Sequence, residues 1–432
     1  MRVAIVGYGI EGETSYKYFS ADKSNKIYIV DESCPKKPLP LDVNTIIGPD
    51  AFNKLKDFDL VVRSPGISPR KINTKGKIWS ATNEFFVKCP CMIIGITGSK
   101  GKGTTASLVA SILRKDGYTV WLLGNIGEPS LKVLHLIKPD DIVVYELSSF
   151  QLWDIEKSPQ RAAILFIEKE HLDVHADMNE YLEAKARITK YQTSRDMLVF
   201  NQNNEYARRI SVQSKAQLFP YPDKKTCHIE NDSFCYGQGI ICSVEYLNIV
   251  GEHNVENACA AINLVWDLIR DKKSISRGLI SFRGLSHRLQ FVREINSVEY
   301  YDDSIATTPC SAIAALNSFK DKQVVIILGG SSKNADFSEL AFVLKNSFNA
   351  YAILIGQEAE RIAQSFKQNN FTNFEIVPSS SMDKIVEIAY KNSTPNGVVL
   401  LSPACASFGM FKDYIDRGNQ FQKAVSKLSI MY

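Results

Sequence analysis

The chain has 432 residues, 45% hydrophobic and 23% charged, with a formal net charge of +4. That is the balance of a soluble globular protein of about three domains. The charge is too mild to imply nucleic acid or a membrane surface as a partner and leaves room for local basic sites for anionic substrates, and no apolar run reaches the ~18–20 residues of a membrane span. Nine cysteines without a CxxC pair point to reduced thiols in a cytoplasm rather than a disulfide framework. The opening MRVAIVGYG reads directly as a strand, without signal-peptide architecture.

In chain order, Val3–Val6, Ile27–Val30 and Leu60–Val62 are predicted as buried strands. The first runs into the glycine turn Gly7, Gly9, Gly12, and Asp31 closes the second. Alone this is a dinucleotide-binding fingerprint. A second glycine loop already follows at Gly98, too soon for a complete two-halved dinucleotide domain, so a boundary is placed near Pro90. Met92–Ile96 is the next strand, with Cys89 and Cys91 entering it. Gly98, Ser99, Lys100, Gly101, Lys102, Gly103, Thr104 and Thr105 follow, and then a helical run, Ala106–Leu113. Glycines let backbone N–H groups turn inward around a phosphate, the helix N-terminus adds its positive end, and Lys102 can reach the β and γ phosphates.

Ile142–Tyr145 is a strand that ends in Glu146, where a carboxylate faces the ligand crevice of an open α/β sheet and can hold Mg²⁺. The strand Ala163–Ile167 runs into Glu168, Glu170, His171 and Asp173. A helix at Asn179–Thr189 carries Lys185, and Met197–Phe200 is a further strand. Residues 205–250 alternate more and read as a small β excursion. Asn254–Arg270 reads as a helix with Asn254 and Asn257 on one face; Asn254 as an N-cap is the alternative. A second boundary falls near Arg283–Gly284, before strands at Val298–Tyr301, Val324–Leu328, Tyr351–Ile355 and Val398–Leu401. Apolar strands alternating with helical patterns imply parallel sheets covered on both faces.

The short phosphate loop, the strand-end Glu146, His171 and then Lys185 resemble the Mur ligase family. So do Gly251-Glu-His253-Asn254 with Asn257, Gly284-Leu-Ser-His287-Arg288, and Gly329-Gly-Ser-Ser-Lys333 with Asp336. Leu401-Ser-Pro-Ala-Cys-Ala-Ser407, followed by Arg417-Gly-Asn419, is similar to the glutamate-adding branch. The resemblance implies an α/β fold of three domains: a Rossmann-like, UDP-sugar-binding 1–89, a central P-loop ATPase-like 90–283 and a Rossmann-like, glutamate-binding 284–432. It implies ligation of D-glutamate to UDP-N-acetylmuramoyl-L-alanine with ATP and two Mg²⁺ ions, by a cytoplasmic monomer. Glu146, His171 and a carbamylated Lys185 would hold the metals, and Lys102, His171 and Lys185 would form the catalytic set. The loop residues 98–105, Asn254, Asn257, Arg288 and Asp303 would bind ATP. Gly9, Asp31, Ser64 and Asn125 would bind the uridine nucleotide, and Thr307, Lys333 and Ser407 the glutamate. Four positions depart from the pattern, among them Phe166 where an asparagine is usual and Glu170 where an aspartate commonly precedes the histidine. Gly103 replaces the usual Ser or Thr after the lysine, as in folylpolyglutamate synthetases, and Ile305 replaces a lysine near the acceptor site. A folylpolyglutamate-type or other Mur-type ligase, an L-glutamate-adding variant, an NAD-binding protein and a non-catalytic nucleotide-binding protein are the other readings. The last would be expected to lose Glu146, His171 or Lys185, and all three are present.

Overall fold

The computed structural model describes the chain except residues 126, 332–334, 378–380 and 432 and the side chains of 429–431. Contacts divide it into two compact units, Met1–Leu247 with Glu252–Phe282, and Asn248–Gly251 with Arg283–Tyr432.

The first unit holds two separate parallel sheets. Strands β1 (Arg2–Val6), β2 (Lys26–Asp31), β3 (Asn44–Ile47), β4 (Leu60–Arg63) and β5 (Lys77–Ser80) are ordered β3-β2-β1-β4-β5. Val3 to Val6 are wholly buried because helices and loops cover both faces. The second sheet contains β6 (Met92–Thr97), β7 (Val120–Gly124), β8 (Ile142–Glu146), β9 (Arg161–Ile164), β10 (Met197–Asn201) and β11 (Gln217–Tyr221), ordered β11-β10-β9-β6-β8-β7. The boundary expected near Pro90 thus lies between two sheets of one unit. Cys89 caps the helix Ala81–Lys88 rather than entering a strand.

Two expected spans shift, each for a visible reason. The strand expected at Ala163–Ile167 is β9, Arg161–Ile164. Beyond Leu165 the chain leaves the ladder, and the Phe166 carbonyl accepts from Ser99 N–H at 2.8 Å. The helix expected at Asn254–Arg270 is Glu252–Val265. The Asp116 carboxylate takes the N–H groups of Arg270 and Asp271 at 2.9 and 3.0 Å and draws that stretch out of the helix. The β excursion is an antiparallel sheet of β12 (Cys227–Glu230), β13 (Ser233–Tyr236) and β14 (Gly239–Ser243).

Arg63, at the end of β4, ties the two large sheets together. Its guanidinium is fully buried. Nε and Nη2 donate to the Asp154 carboxylate at 2.6 and 3.0 Å, Nη2 also to the Phe150 carbonyl at 2.7 Å, and Nη1 to the Ile67 carbonyl at 3.0 Å.

The second unit is one six-stranded sheet of β15 (Gln290–Ile295), β16 (Val298–Asp302), β17 (Val324–Gly329), β18 (Tyr351–Ile355), β19 (Phe374–Ile376) and β20 (Val398–Leu401), ordered β15-β16-β20-β17-β18-β19. All neighbours are parallel except the edge strand β15, antiparallel to β16. One hydrophobic core covers each face. No helix among the described residues is long and apolar enough to cross a membrane.

Removing one partner of a buried ion pair strands the other charge, which typically costs ~3–5 kcal/mol. Asp154→Ala should therefore lower the unfolding free energy of the first unit by about 3 kcal/mol in urea titrations. A change within about 0.5 kcal/mol would show that Arg63 is satisfied by the carbonyls alone.

Candidate nucleotide and metal site

β6 lies at the centre of its sheet, and the chain crosses from β8 on one side to β9 on the other. Such a switch opens a crevice at the strand ends, and the glycine loop emerges there. The helix Lys102–Lys115 starts at once after Gly101 without a side-chain cap, so its first N–H groups face the loop. Gly101 has φ +85°, and a Cβ there would lie 2.2 Å from Asn257 Oδ1. Asn257 thus packs directly against the loop. It donates to Asn254 Oδ1 at 3.2 Å, and both side chains are buried. Asn254 lies inside the helix Glu252–Val265 and is not its N-cap.

Lys102 Nζ donates to the carbonyls of Gly98 and Ser99 at 3.1 and 2.8 Å. Lys185 Nζ, from the helix Met178–Lys190, reaches the same Gly98 carbonyl at 2.7 Å and Thr97 Oγ1 at 3.4 Å. Lys185 is 1% exposed. Burial, and next the Lys102 charge, push its pKa well below that of an ordinary lysine, while Glu170 and Glu146 oppose the shift.

Glu146 ends β8, in register with Ile96 of β6, and is buried. Asn125, expected at the uridine nucleotide, sits against it. Its N–H donates to the Glu146 carbonyl at 3.2 Å and its Nδ2 lies 3.5 Å from Oε1. His171 has φ +56° and an exposed side chain, with Nε2 3.7 Å from Glu170 Oε2 and its ring 4.9 Å from Phe150. Ser99 Oγ bonds the Tyr181 hydroxyl at 2.8 Å, and that hydroxyl donates to Glu170 at 3.2 Å.

Tyr181 and His175 were not singled out from sequence. His175 is buried, stacked on Phe150 at 5.4 Å, with Nε2 3.0 Å from Ser149 Oγ. Burial lowers its pKa. The His171/His175 spacing was the available signal, since four residues bring side chains to one side of a turn.

In the first sheet, Asp31 Oδ2 accepts Tyr8 N–H at 3.0 Å and Ser64 Oγ donates to the Gly7 carbonyl at 2.7 Å. Both brace the glycine turn. Gly9 is exposed, and a Cβ there would meet nothing.

In the second unit, Arg288 is exposed, Thr307 half-buried and Ser407 buried. Lys333 lies outside the described residues. Asp303 accepts Leu289 N–H at 3.0 Å and Ser402 Oγ–H at 2.7 Å, and burial pushes its pKa up to about 7. Its neighbour Asp302 is bonded to His287 Nδ1 at 2.7 Å. Arg417, which composition alone would place on a surface, is fully buried. It donates to Ser304 Oγ, the Ser304 carbonyl and the Cys405 carbonyl at 2.9, 2.8 and 3.2 Å.

The Mur ligase middle domain matches residues 96–265, and the Mur ligase glutamate ligase domain matches 287–405. A UDP-N-acetylmuramoylalanine--D-glutamate ligase of Clostridium tetani is 36% identical, over 99% of this chain and 97% of its own. One of Acetivibrio thermocellus is 35% identical, over 99% and 96%. The chain belongs to the Mur ligase family. Among solved structures, the UDP-N-acetylmuramate-alanine ligase of Thermotoga maritima shares the fold at TM-score 0.61 and 18% identity, covering 100% of both chains. MurF of Acinetobacter baumannii does so at 0.62 and 16%, covering 93% of this chain and 85% of its own.

The residues present fit the divalent cation that Mur ligases use. Glu146 offers a buried carboxylate, His171 an exposed imidazole, and the Thr105 hydroxyl behind the loop is buried without a hydrogen bond. Gly103 adds no hydroxyl.

The loop of this Mur ligase requires glycine at 101 twice over, for its positive φ and for the approach of Asn257. Gly101→Ala should weaken ATP binding at least ~10-fold, as a lost loop shape also misplaces Lys102. Equilibrium binding of a fluorescent ATP analogue checks this, and wild-type affinity would refute it.

Proposed function

We propose that this chain is an ATP-dependent ligase that adds D-glutamate to UDP-N-acetylmuramoyl-L-alanine in peptidoglycan precursor synthesis. The observation that carries the reading is the meeting of Lys102, buried Lys185 and the phosphate loop on one carbonyl, with Glu146 at the adjacent strand end. The full-length similarity to relatives named for this reaction supports it.

The muramoyl-alanine carboxylate attacks the γ-phosphorus of ATP; a C–O–P bond forms and ADP leaves. The glutamate amine then attacks the acyl carbon, and the tetrahedral intermediate expels phosphate. Two anions meet in the first step, so charge neutralisation dominates. Glu146, His171 and Lys185 as a carbamate would hold two Mg²⁺ ions, which supply most of that neutralisation when bound. Lys102 places its charge on the β and γ phosphates. Loop residues 98–105 cradle them, with Asn254 and Asn257 toward the base, Arg288 toward the phosphates and Asp303 toward the ribose. Gly9, Asp31, Ser64 and Asn125 take the uridine nucleotide, and Thr307, Lys333 and Ser407 the glutamate. The corresponding domains are 1–89, 90–283 and 284–432, in a cytoplasmic monomer.

The carbamate forms when the neutral Lys185 amine attacks CO₂, making an N–C bond and releasing one proton. Lys185→Ala should lose at least ~10²-fold in turnover, as expected for removing preorganised charge, and regain part of it with a short-chain carboxylic acid. Carbon-13 NMR with labelled CO₂ should show a carbamate signal in the wild type only. Full activity of the variant without added acid would make Lys185 structural.

Ile305, half-buried where the family carries a lysine, leaves Thr307, Lys333 and Ser407 to receive two carboxylates. A site that fixes both carboxylates and the amine rejects the wrong hand by leaving a buried charge unpaired. Phosphate release with UDP-N-acetylmuramoyl-L-alanine, ATP and Mg²⁺ should be faster with D- than with L-glutamate. Faster turnover with L-glutamate would overturn the stereochemistry, and no turnover with either would remove glutamate as the substrate.

A further inference from the structure

Strands β12 and β13 form a hairpin closed by Asn231 and Asp232, both with positive φ (47° and 53°). Two left-handed residues are what a tight two-residue hairpin turn requires. The register pairs His228 directly with Cys235 and Glu230 with Ser233. Residues two apart on a strand share a face, so His228, Glu230 and Cys235 project together. One ligand atom from each lies within 4.8 Å of the others. His228 and Cys235 are 7% and 4% exposed, whereas Glu230 is exposed.

The imidazole is already oriented. His228 Nδ1 lies 3.2 Å from the Thr226 carbonyl, an oxygen that can only accept. Nδ1 therefore carries the proton, and the Nε2 lone pair is left for another partner. A backbone carbonyl on the far nitrogen is the usual support of a metal-ligating histidine. The hairpin is anchored as well: the Cys227 N–H donates to Asn263 Oδ1 at 3.0 Å, and Tyr236 stacks on Trp266 at 4.0 Å.

We propose that His228, Glu230 and Cys235 form a second metal site, for a borderline divalent ion of the zinc class, with water as the fourth ligand. A thiolate, an imidazole and one carboxylate suit such an ion and not the oxygen-seeking Mg²⁺. Exposed Glu230 lies on the open side, where an ion can enter. On binding, the Cys235 Sγ–H bond breaks, the proton passes to solvent and a sulfur–metal bond forms. The site shares no ligand with Glu146, His171 or Lys185, so it stands independently of the proposed ligase chemistry.

Cobalt(II) is a suitable probe, because only a thiolate ligand gives sulfur-to-cobalt charge-transfer absorption. Titrated into the metal-stripped full-length chain, Co²⁺ should raise this band to saturation at one equivalent, and Zn²⁺ should abolish it. Cobalt at the Glu146 and His171 site gives no such band. Cys235→Ser should remove the band. Glu230→Gln, an exposed change that leaves the hairpin fold intact, should weaken Co²⁺ binding at least ~10-fold, since even outer-shell partners contribute 10–100-fold. No band in the wild type, a band retained in Cys235→Ser, or unchanged affinity in Glu230→Gln would each overturn the proposal.

Discussion

The oxygen of Gly98 accepts from two lysines at once, Lys102 at 3.1 Å and Lys185 at 2.7 Å. Two ammonium groups on one carbonyl repel, and the interior around Lys185 screens that repulsion poorly. Burial first, and then the charge of the less buried Lys102, therefore push the Lys185 pKa well down. Three elements meet at this junction. β6 delivers Gly98, the helix after it delivers Lys102, and the helix Met178–Lys190 delivers Lys185. A slip of one residue in that last helix would swing Lys185 by about 100° and off the carbonyl. Tyr181 guards against such a slip. Its hydroxyl is tied to Ser99, and its ring lies 4.6 Å from Lys185 Nζ.

The parts of this arrangement that sequence made legible are those carried by local pattern. Continuous apolar runs such as Ile93–Ile96 and Val143–Val144 have to be buried on both faces, so central strands were readable, and the glycine loop between strand and helix was readable too. Edge strands were not. Asn44–Ile47 is largely exposed, and Gln290–Ile295 alternates exposed with half-buried residues. Neither carries the run that marks a central strand. β9 was placed too late because Leu165 and Ile167 are buried like strand residues while the backbone there closes the phosphate loop. Asn125 was expected at the uridine nucleotide, and only the fold brings its side chain to Glu146.

Buried arginines mark the limit of sequence reading. Arg63 meets Asp154 91 residues away, and Arg417 meets Ser304 across 113. Nothing within a few residues of either distinguishes it from a surface cation. Both do the same work. A guanidinium presents five N–H donors in a fixed plane, so one side chain can satisfy several loop carbonyls that no strand or helix reaches. Arg63 does this between the two sheets of the first unit, and Arg417 does it among the loops that follow β16 and β20.

That reading changes how the C-terminal Arg417-Gly418 pair is understood. Arg417 is fully buried, and three of its five N–H groups donate to Ser304 Oγ, the Ser304 carbonyl and the Cys405 carbonyl. Burial lowers its pKa only to about 10, so it stays charged near neutrality. Gly418 is required because a Cβ there would lie 2.1 Å from His287 Nδ1, and His287 is locked to Asp302. Asp302 in turn accepts Ser304 N–H at 3.0 Å and Gln422 Nε2–H at 2.8 Å. The pair therefore acts through the backbone. It fixes the turn at Ser304, three residues before Thr307, and the Cys405 carbonyl, two residues before Ser407. A buried cation at that point favours negative charge nearby. The pair thus contributes shape and field to the loops that follow β16 and β20.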